Sequence, residues 1–204
     1  MIEFGVLLAA YLIGSIPVGL VIGKLKGVDI RQYGSGKTGT TNVLRNIGTK
    51  YAVIALIADI LKGVIAVIIA RYTLDSPYWE MGAAFAAIAG HNWSIFIKFQ
   101  GGRGVATAGG GLYVMQPWVS TGTILLFFII AGITRYASVG SITGALSALI
   151  TMIVLLALDY THIAYVIYTG VAATLIIVAH YDNIKRLLAG TENKIGHKGK
   201  KLDK

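Results

Sequence analysis

Residues 52–70 read AVIALIADILKGVIAVIIA, an apolar run in which only Asp59 and Lys62 are charged. A helix of this length spans about 28 Å, close to the roughly 30 Å of hydrocarbon in a bilayer. Comparable apolar runs occupy residues 4–22, 81–97, 112–134, 142–158 and 163–179. The repeated pattern predicts an all-α, polytopic integral membrane protein.

The composition agrees with this class. Only 13% of the 204 residues are charged, and the mean hydropathy is +0.71, whereas soluble domains carry about 25% charged residues. A net charge of +9 would suggest nucleic acid in a soluble protein, but in a membrane protein basic residues keep loops in the cytoplasm. We therefore expect membrane lipid as a partner and no nucleic acid.

The basic residues lie mainly between the first two apolar runs and in the tail after residue 180. The positive-inside rule places both segments in the cytoplasm, so the N-terminus is outside and the number of crossings is odd. Gln116-Pro117-Trp118 interrupts the long stretch 105–134 and divides it into a short segment, 105–115, and a longer one, 118–134. The chain is thus predicted to have seven transmembrane helices, one of them short and glycine-rich. Residues 1–190 form the single domain, and residues 191–204 form a basic, flexible cytoplasmic tail.

A glycine- and hydroxyl-rich segment, GSGKTGTTNVLR, occupies residues 34–45 in the first loop. Glycines allow several backbone N–H groups to face one anion, and Ser, Thr and Arg side chains add further donors. The pattern predicts a phosphate site at the membrane surface. It is not a nucleotide P-loop, because that motif requires glycine where Arg31 stands. The candidate ligands are Gly34, Ser35, Gly36, Thr41, Asn42 and Arg45.

A second glycine cluster, GGRGVAT, begins at residue 101 and precedes a predicted helix. It suits an anion, or it is simply a tight connection between helices. His180 and Asn183 close the last apolar run on the same predicted face, where His180 could bind phosphate, act as a base or cap a helix. The further candidate ligands are Gly101, Gly102, Arg103, Gly104, Ser141 and Lys62.

Three polar residues inside the predicted spans have plainer explanations. Asp59 and Lys62 lie one helical turn apart and are expected to form an ion pair, although Lys62 could instead reach the site. His91 is expected to make an interhelical hydrogen bond. No His-x-x-x-x-Asp pair and no cluster with metal-ligand spacing occurs in the sequence, so neither a metal nor a cofactor is expected.

Six ordered motifs in the chain resemble the bacterial PlsY family of membrane acyl-phosphate:glycerol-3-phosphate acyltransferases. The resemblance runs from residue 14 to about residue 192. The matching motifs are Gly-Ser-Gly-x-x-Gly-x-Thr-Asn-Val-x-Arg at 34–45, Asp-x-x-Lys-Gly at 59–63, Gly-His at 90–91, Gly-Gly-[Lys/Arg]-Gly-Val-Ala-Thr at 101–107, Arg-Tyr-x-Ser-x-x-Ser at 135–141, and His-x-x-Asn at 180–183 followed by Arg-Leu-Leu-x-Gly at 186–190.

The resemblance implies transfer of a fatty acyl group from acyl phosphate to the 1-hydroxyl of glycerol 3-phosphate, the first step of phospholipid biosynthesis. It implies that Ser35, Arg45, His180 and Asn183 are catalytically important and that residues 101–104 bind glycerol 3-phosphate. It also implies seven spans in the bacterial inner membrane, a site facing the cytoplasm and no use of acyl-CoA. Two residues depart from the family pattern: Lys37 replaces the usual Asn, and Arg103 replaces the usual Lys.

Two other functions remain open at this level. A transporter of organic phosphates would also use glycine breaks, but near the bilayer midplane and often in repeated halves. A transferase of cytidine-activated lipids would need an aspartate-rich metal motif, which the sequence lacks. The sequence leaves open the acyl-chain preference and the proton acceptor. It also leaves open the oligomeric state, for which a monomer is one alternative.

Overall fold

The computed structural model describes residues 1–197, 199 and 201, and in them the chain forms ten α-helices. These are α1 Ile2–Ser15, α2 Val18–Leu25, α3 Thr40–Asn46, α4 Thr49–Leu74, α5 Pro77–Asn92, α6 Val105–Met115, α7 Pro117–Thr134, α8 Ala137–Ala157, α9 Ile163–Ala179 and α10 Tyr181–Leu188. Single 3₁₀ turns at Ile30–Gln32 and Ile95–Ile97 lie in loops. The only strand-like pairing in the described part is a bridge between Tyr33 and Lys201. The predicted all-α class is therefore confirmed.

Four helical segments are long and apolar enough to cross a membrane: Ile2–Leu25, Thr49–Leu74, Pro117–Thr134 and Ala137–Ala157. Together α9 and α10, which meet at a bend of 56°, could make a fifth. The protein is thus a multi-pass membrane protein, while the seven-span count and the orientation of the termini stay predictions. The predicted break before α7 is present, because α6 ends at Met115 and α7 begins at Pro117. The first predicted span, in contrast, is divided at Ile16-Pro17.

Small residues allow the central helices to approach closely. The α4 residue Gly63 lies against the backbone of Thr107 and Gly111 in α6, and a Cβ at Gly63 would overlap that backbone. The short glycine-rich α6 therefore packs tightly against α4, as its composition predicts. Large apolar side chains such as Ile57, Phe128 and Ile150 are exposed on the outside of the bundle, where a lipid-facing surface requires them.

The segments 26–48, 98–104 and 180–197 meet at one end of the bundle, which is called the basic end below. Arg103 in the second segment donates from Nε to the Ala179 carbonyl at 3.1 Å, and Arg45 in the first donates from Nη2 to the Asn193 carbonyl at 2.7 Å. The Ile195 N–H donates to the Arg135 carbonyl at 2.7 Å. The described part of the tail thus lies across this end, while its predicted flexibility is untested and stays a prediction.

The opposite end, called the far end below, contains a different arrangement of charge. Arg71 at the end of α4 donates from Nε and Nη2 to the two carboxylate oxygens of Glu80 at 2.9 and 2.8 Å. Tyr165 donates to the same carboxylate at 2.9 Å, and Arg71 also donates to the Val114 carbonyl at 3.0 Å. These contacts join α4, α5, α6 and α9.

Candidate active site

The first glycine segment is held in shape by Asn42. Its Nδ2 donates to the carbonyls of Ile30, Tyr33 and Lys37 at 2.7, 3.1 and 2.9 Å, and its Oδ1 accepts from Asn46 at 3.0 Å. The buried amide is therefore bonded within the loop, so its predicted contact with a substrate phosphate stays a prediction.

Two glycines of this segment have backbone conformations that other residues rarely adopt. Gly34 and Gly36 have φ values of 62° and 66°, in the left-handed region that glycine occupies without strain. Between them, half-buried Ser35 accepts a long contact of 3.4 Å from the Lys37 N–H, its one hydrogen bond among the described residues. Thr41 is also half-buried, in the first turn of α3. The hydroxyl of Ser35 is thus weakly bound within the protein.

Arg45 points from α3 toward the tail, and one hydrogen bond from its guanidinium is present among the described residues. Its Nη2 binds the Asn193 carbonyl, but its Nε is buried with no partner among the described residues. Burial lowers the pKa of Arg45, an effect that the carboxylate of Glu192 partly opposes. An arginine with a free, desolvated N–H group is suited to receive an anion.

The second glycine segment brings another arginine to the same place. Gly104 caps α6 with a φ of 76°, and Arg103 beside it reaches across to the end of α9. Burial lowers the pKa of Arg103 to about 10, with Glu192 acting in the opposite direction and Arg186 and Arg45 adding to the decrease. Since the charge of Arg45 acts on Arg103, the structure brings the two glycine segments together.

His180 follows α9 and is 3% exposed. Its Nδ1 lies 2.8 Å from the Ile176 carbonyl, which can only accept, so Nδ1 carries the proton and Nε2 is an acceptor in the neutral ring. Burial, with the nearby charge of Arg103, lowers the pKa of His180 to about 4. The side chain is therefore neutral at pH 7 and a weak base.

Glu192 joins α8 to α10 through hydrogen bonds, and it was not identified from the sequence. Its carboxylate accepts from Ser138 Oγ at 3.0 Å, Asn183 Nδ2 at 2.6 Å and Arg186 Nε at 2.8 Å. Although burial favours the neutral form, the bonds from Asn183 and Arg186 hold the pKa of Glu192 below its usual range. The one available signal was its position, since it is the only acidic residue between Asn183 and Lys201.

The remaining predicted residues lie in α8 and α4. Ser141, one turn after Ser138 in α8, donates to the Ala137 carbonyl of its own helix at 2.9 Å. Lys62 donates to Asp59 at 2.6 Å, so the predicted ion pair is present. Lys62 also lines a small cleft together with Thr38 of the first segment. Its predicted contact with substrate stays a prediction.

The arrangement is a cluster of three arginines, with fewer acidic side chains acting on them. Arg45, Arg103 and Arg186 act on one another and on Glu192, and Arg45 Nε and Asn183 Oδ1 are buried without partners in the described part of the chain. Because such unpaired groups cost about 1–3 kcal/mol each, their presence at one place favours a ligand site.

Comparison with known proteins gives consistent matches over nearly the whole chain. The family model described as glycerol-3-phosphate acyltransferase matches residues 4–190. A relative named glycerol-3-phosphate acyltransferase 2 from Moorella thermoacetica is 48% identical, covering 94% of this chain and 97% of the relative. A glycerol-3-phosphate acyltransferase from Thermus thermophilus is 41% identical, covering 94% of each chain.

Two crystal structures of PlsY, described as an integral membrane glycerol 3-phosphate acyltransferase, have the same fold. The glycerol 3-phosphate form superposes with a TM-score of 0.89 at 39% identity, and the lysophosphatidic acid form with 0.86 at 38% identity. Each comparison covers 96% of both chains.

Proposed function

Because the chain belongs to the glycerol-3-phosphate acyltransferase family, we propose that it transfers a fatty acyl group from acyl phosphate to the 1-hydroxyl of glycerol 3-phosphate. The products are lysophosphatidic acid and inorganic phosphate, in the first step of phospholipid biosynthesis. The observation that carries the proposal is the meeting of two glycine-bent, arginine-bearing segments at the basic end, where Arg45 and Arg103 lie close enough for their charges to interact.

Glycerol 3-phosphate is assigned to the pocket formed by Arg45, Arg103, His180 and Asn183, with Ser141 in its wall. Two arginines supply fork-shaped donors for a phosphate dianion, and Arg45 Nε is unpartnered within the described residues. Asn183 is oriented by its bond to Glu192, which leaves its buried carbonyl oxygen to accept from a substrate hydroxyl.

Acyl phosphate is assigned to the first glycine segment. The turns at Gly34 and Gly36 leave Ser35 weakly bonded, and Thr41 is next to Asn42, which fixes the loop. The acyl chain would lie between helices in the membrane, with the phosphate held at the basic end. Lys62 and Thr38 line one cleft, which supports a supplementary role for Lys62 in this half of the site.

The chemistry requires no covalent enzyme intermediate, since acyl phosphate is already an activated mixed anhydride. The 1-hydroxyl oxygen forms a bond to the acyl carbon, the bond from that carbon to the phosphate oxygen breaks, and inorganic phosphate leaves. Holding the two reactants side by side converts a bimolecular step into a positioned one. The surrounding cations stabilise the negative charge that develops during transfer.

The proton of the hydroxyl needs an acceptor, and the substrate's own phosphate is the first candidate. A phosphate monoester has a second pKa near 6, whereas the pKa of His180 is lowered to about 4. If His180 were the base, its imidazole would control the pH–rate profile. We expect the profile of His180→Asn to keep its shape at reduced rate; loss of the acidic limb in this variant would assign the base to His180.

The site is further proposed to face the cytoplasm of a bacterial inner membrane. The support is the concentration of basic residues in the segments of the basic end, which the positive-inside rule places in the cytoplasm. Glycerol 3-phosphate, a soluble metabolite, would then reach the pocket directly from the cytoplasm.

The test is turnover by the purified protein in detergent, with acyl phosphate and glycerol 3-phosphate and with release of inorganic phosphate as the readout. We expect release to depend on both substrates and to yield lysophosphatidic acid; acyl-CoA in place of acyl phosphate should give none. Absence of turnover together with counterflow of glycerol 3-phosphate into liposomes would instead identify a transporter.

A further inference from the structure

His91, in the last turn of α5, lies directly against the second glycine segment. Its carbonyl accepts the Gly102 N–H at 3.0 Å. A Cβ added at Gly101 would overlap this same backbone carbonyl, whereas a Cβ added at Gly102 would overlap Nε2 of the imidazole. The ring thus occupies the space that any side chain at residue 102 would need.

The imidazole is anchored on its other side. Its Nδ1 lies 3.5 Å from Asp59 Oδ1, and the same oxygen accepts from Lys62 at 2.6 Å. All three side chains are at most 8% exposed. The Nδ1 edge of the ring therefore faces a charged pair in α4, and the Nε2 edge lies against the glycine segment.

The position of this segment decides where Arg103 points. Arg103 lies between Gly102 and Gly104, and its guanidinium reaches the Ala179 carbonyl at the edge of the pocket. A shift of the backbone at Gly102 would move Arg103 relative to Arg45. The contact between His91 and Gly102 can therefore act on the pocket without touching a substrate.

We propose that His91 is a positioning residue whose imidazole, fixed by Asp59, sets the conformation of residues 101–104 and thereby the affinity for glycerol 3-phosphate. This inference rests on the proposed function, because it concerns the acceptor half of the same site. His91 itself takes no part in the chemistry.

A double-mutant cycle between residues 91 and 102 tests the proposal. In His91→Asn, the side-chain N–H can still face Asp59, but the part of the ring that contacts Gly102 is removed. We expect His91→Asn to raise KM for glycerol 3-phosphate several-fold and Gly102→Ala to raise it at least tenfold. In both variants, kcat and KM for acyl phosphate should change less than threefold.

The double variant should reverse much of the defect. With the ring removed, the added methyl group at residue 102 has room, so KM should fall at least threefold below that of Gly102→Ala. Gly101→Ala is the matched control, because its methyl group meets the backbone carbonyl of residue 91, which every residue has. His91→Asn should give Gly101→Ala no rescue.

The outcomes that overturn the proposal are distinct from failure of the proposed function. Absence of turnover by the wild-type protein would refute the proposed function. If the wild type is active, additive effects of His91→Asn and Gly102→Ala on KM would refute the positioning role. An unchanged KM in either single variant would refute it too. If Gly102→Ala does not fold, the two double variants are compared by their yield of monodisperse, active protein. Recovery in His91→Asn/Gly102→Ala but not in His91→Asn/Gly101→Ala supports the proposal. Failure of both double variants to fold refutes it.

Discussion

The two ends of the helix bundle both contain partly buried arginine, but they use it differently. At the far end, Arg71 faces Glu80 with two parallel hydrogen bonds, and Tyr165 and Val114 complete the pair. At the basic end, Arg45 and Arg103 donate to backbone carbonyls. Glu192, one of the carboxylates near them, is bonded to Ser138, Asn183 and Arg186.

This difference separates a structural charge from a functional one. In the bidentate pair, the Glu80 carboxylate neutralises Arg71 and joins the helices, so this arginine has little attraction for an anionic ligand. Arginines without matching acids are costly in the empty protein and are neutralised only when anions bind. The comparison predicts that arginine substitutions at the basic end reduce activity, whereas those at the far end reduce stability.

The largest effect is expected from Arg45→Gln. Removing a preorganised, charged hydrogen-bond donor from an active site lowers rates about 10²–10³-fold. We therefore expect kcat/KM for glycerol 3-phosphate to fall by this factor. The melting temperature in detergent should stay within a few degrees of wild type, because no carboxylate among the described residues pairs directly with Arg45. A large loss of stability with modest loss of activity would make Arg45 structural, like Arg71.

At the far end, Arg71→Gln should reduce stability and leave activity nearly unchanged. It leaves the carboxylate of Glu80, which is 5% exposed, without its cation. The expected loss is about 3 kcal/mol of unfolding free energy, measured by denaturation in detergent or bicelles, with kcat per folded molecule near wild type. Arg71→Gln/Glu80→Gln, which removes both charges, should recover part of the loss; no recovery would show that the ion pair is not the stabilising contact.

An intermediate effect is expected from the protonation of His180. Its pKa in the folded protein is about 4, below the value of about 6.5 expected in the unfolded chain. The unfolded state therefore binds more protons between these values, so the stability from this group is present above pH 6.5 and is lost as pH falls toward 4. At pH 5 the loss is about 2 kcal/mol.

The check is the pH dependence of stability in wild type and His180→Asn, where the difference isolates this residue from other titrating groups. The variant should lose less stability than wild type between pH 7 and pH 5. Parallel curves for the two proteins would show that His180 is not held in its neutral form.

The smallest effect is expected from Arg103→Lys, which introduces the residue that the family resemblance implies at this position. Lysine keeps the charge but loses the planar fork and the Nε bond to Ala179. We expect KM for glycerol 3-phosphate to change less than tenfold, with little change in stability. Arg103→Met, which has no charge, is the control and should lose at least tenfold more activity than Arg103→Lys.

The sequence was sufficient for the features that depend on local patterns. The apolar runs predicted the helical class, and Pro117 located the break between α6 and α7, because proline cannot continue the preceding helix. The one-turn spacing of Asp59 and Lys62 predicted their ion pair. The boundaries of α9 also agree with the run at residues 163–179.

Features that depend on contacts between distant parts of the chain could not be predicted from local sequence patterns. Glu192 is held near the arginines by hydrogen bonds from Ser138 and Asn183, which are 54 and 9 residues away in the sequence. The contact between His91 and Gly102 depends on how the end of α5 meets a loop. The residue type of Asn42 predicts a phosphate ligand, but it does not indicate the hydrogen bonds from its amide to loop carbonyls. Only the three-dimensional packing reveals such partners.

The central claim is that the basic end holds two anionic reactants at the same time. Calorimetric titration of glycerol 3-phosphate into the purified protein, alone and saturated with a non-reactive acyl phosphonate, measures this without turnover. We predict one glycerol 3-phosphate site per chain under both conditions, and loss of that site in Arg45→Gln. Competitive displacement of glycerol 3-phosphate by the acyl phosphonate would mean that the two glycine segments form a single anion site, which would contradict the account.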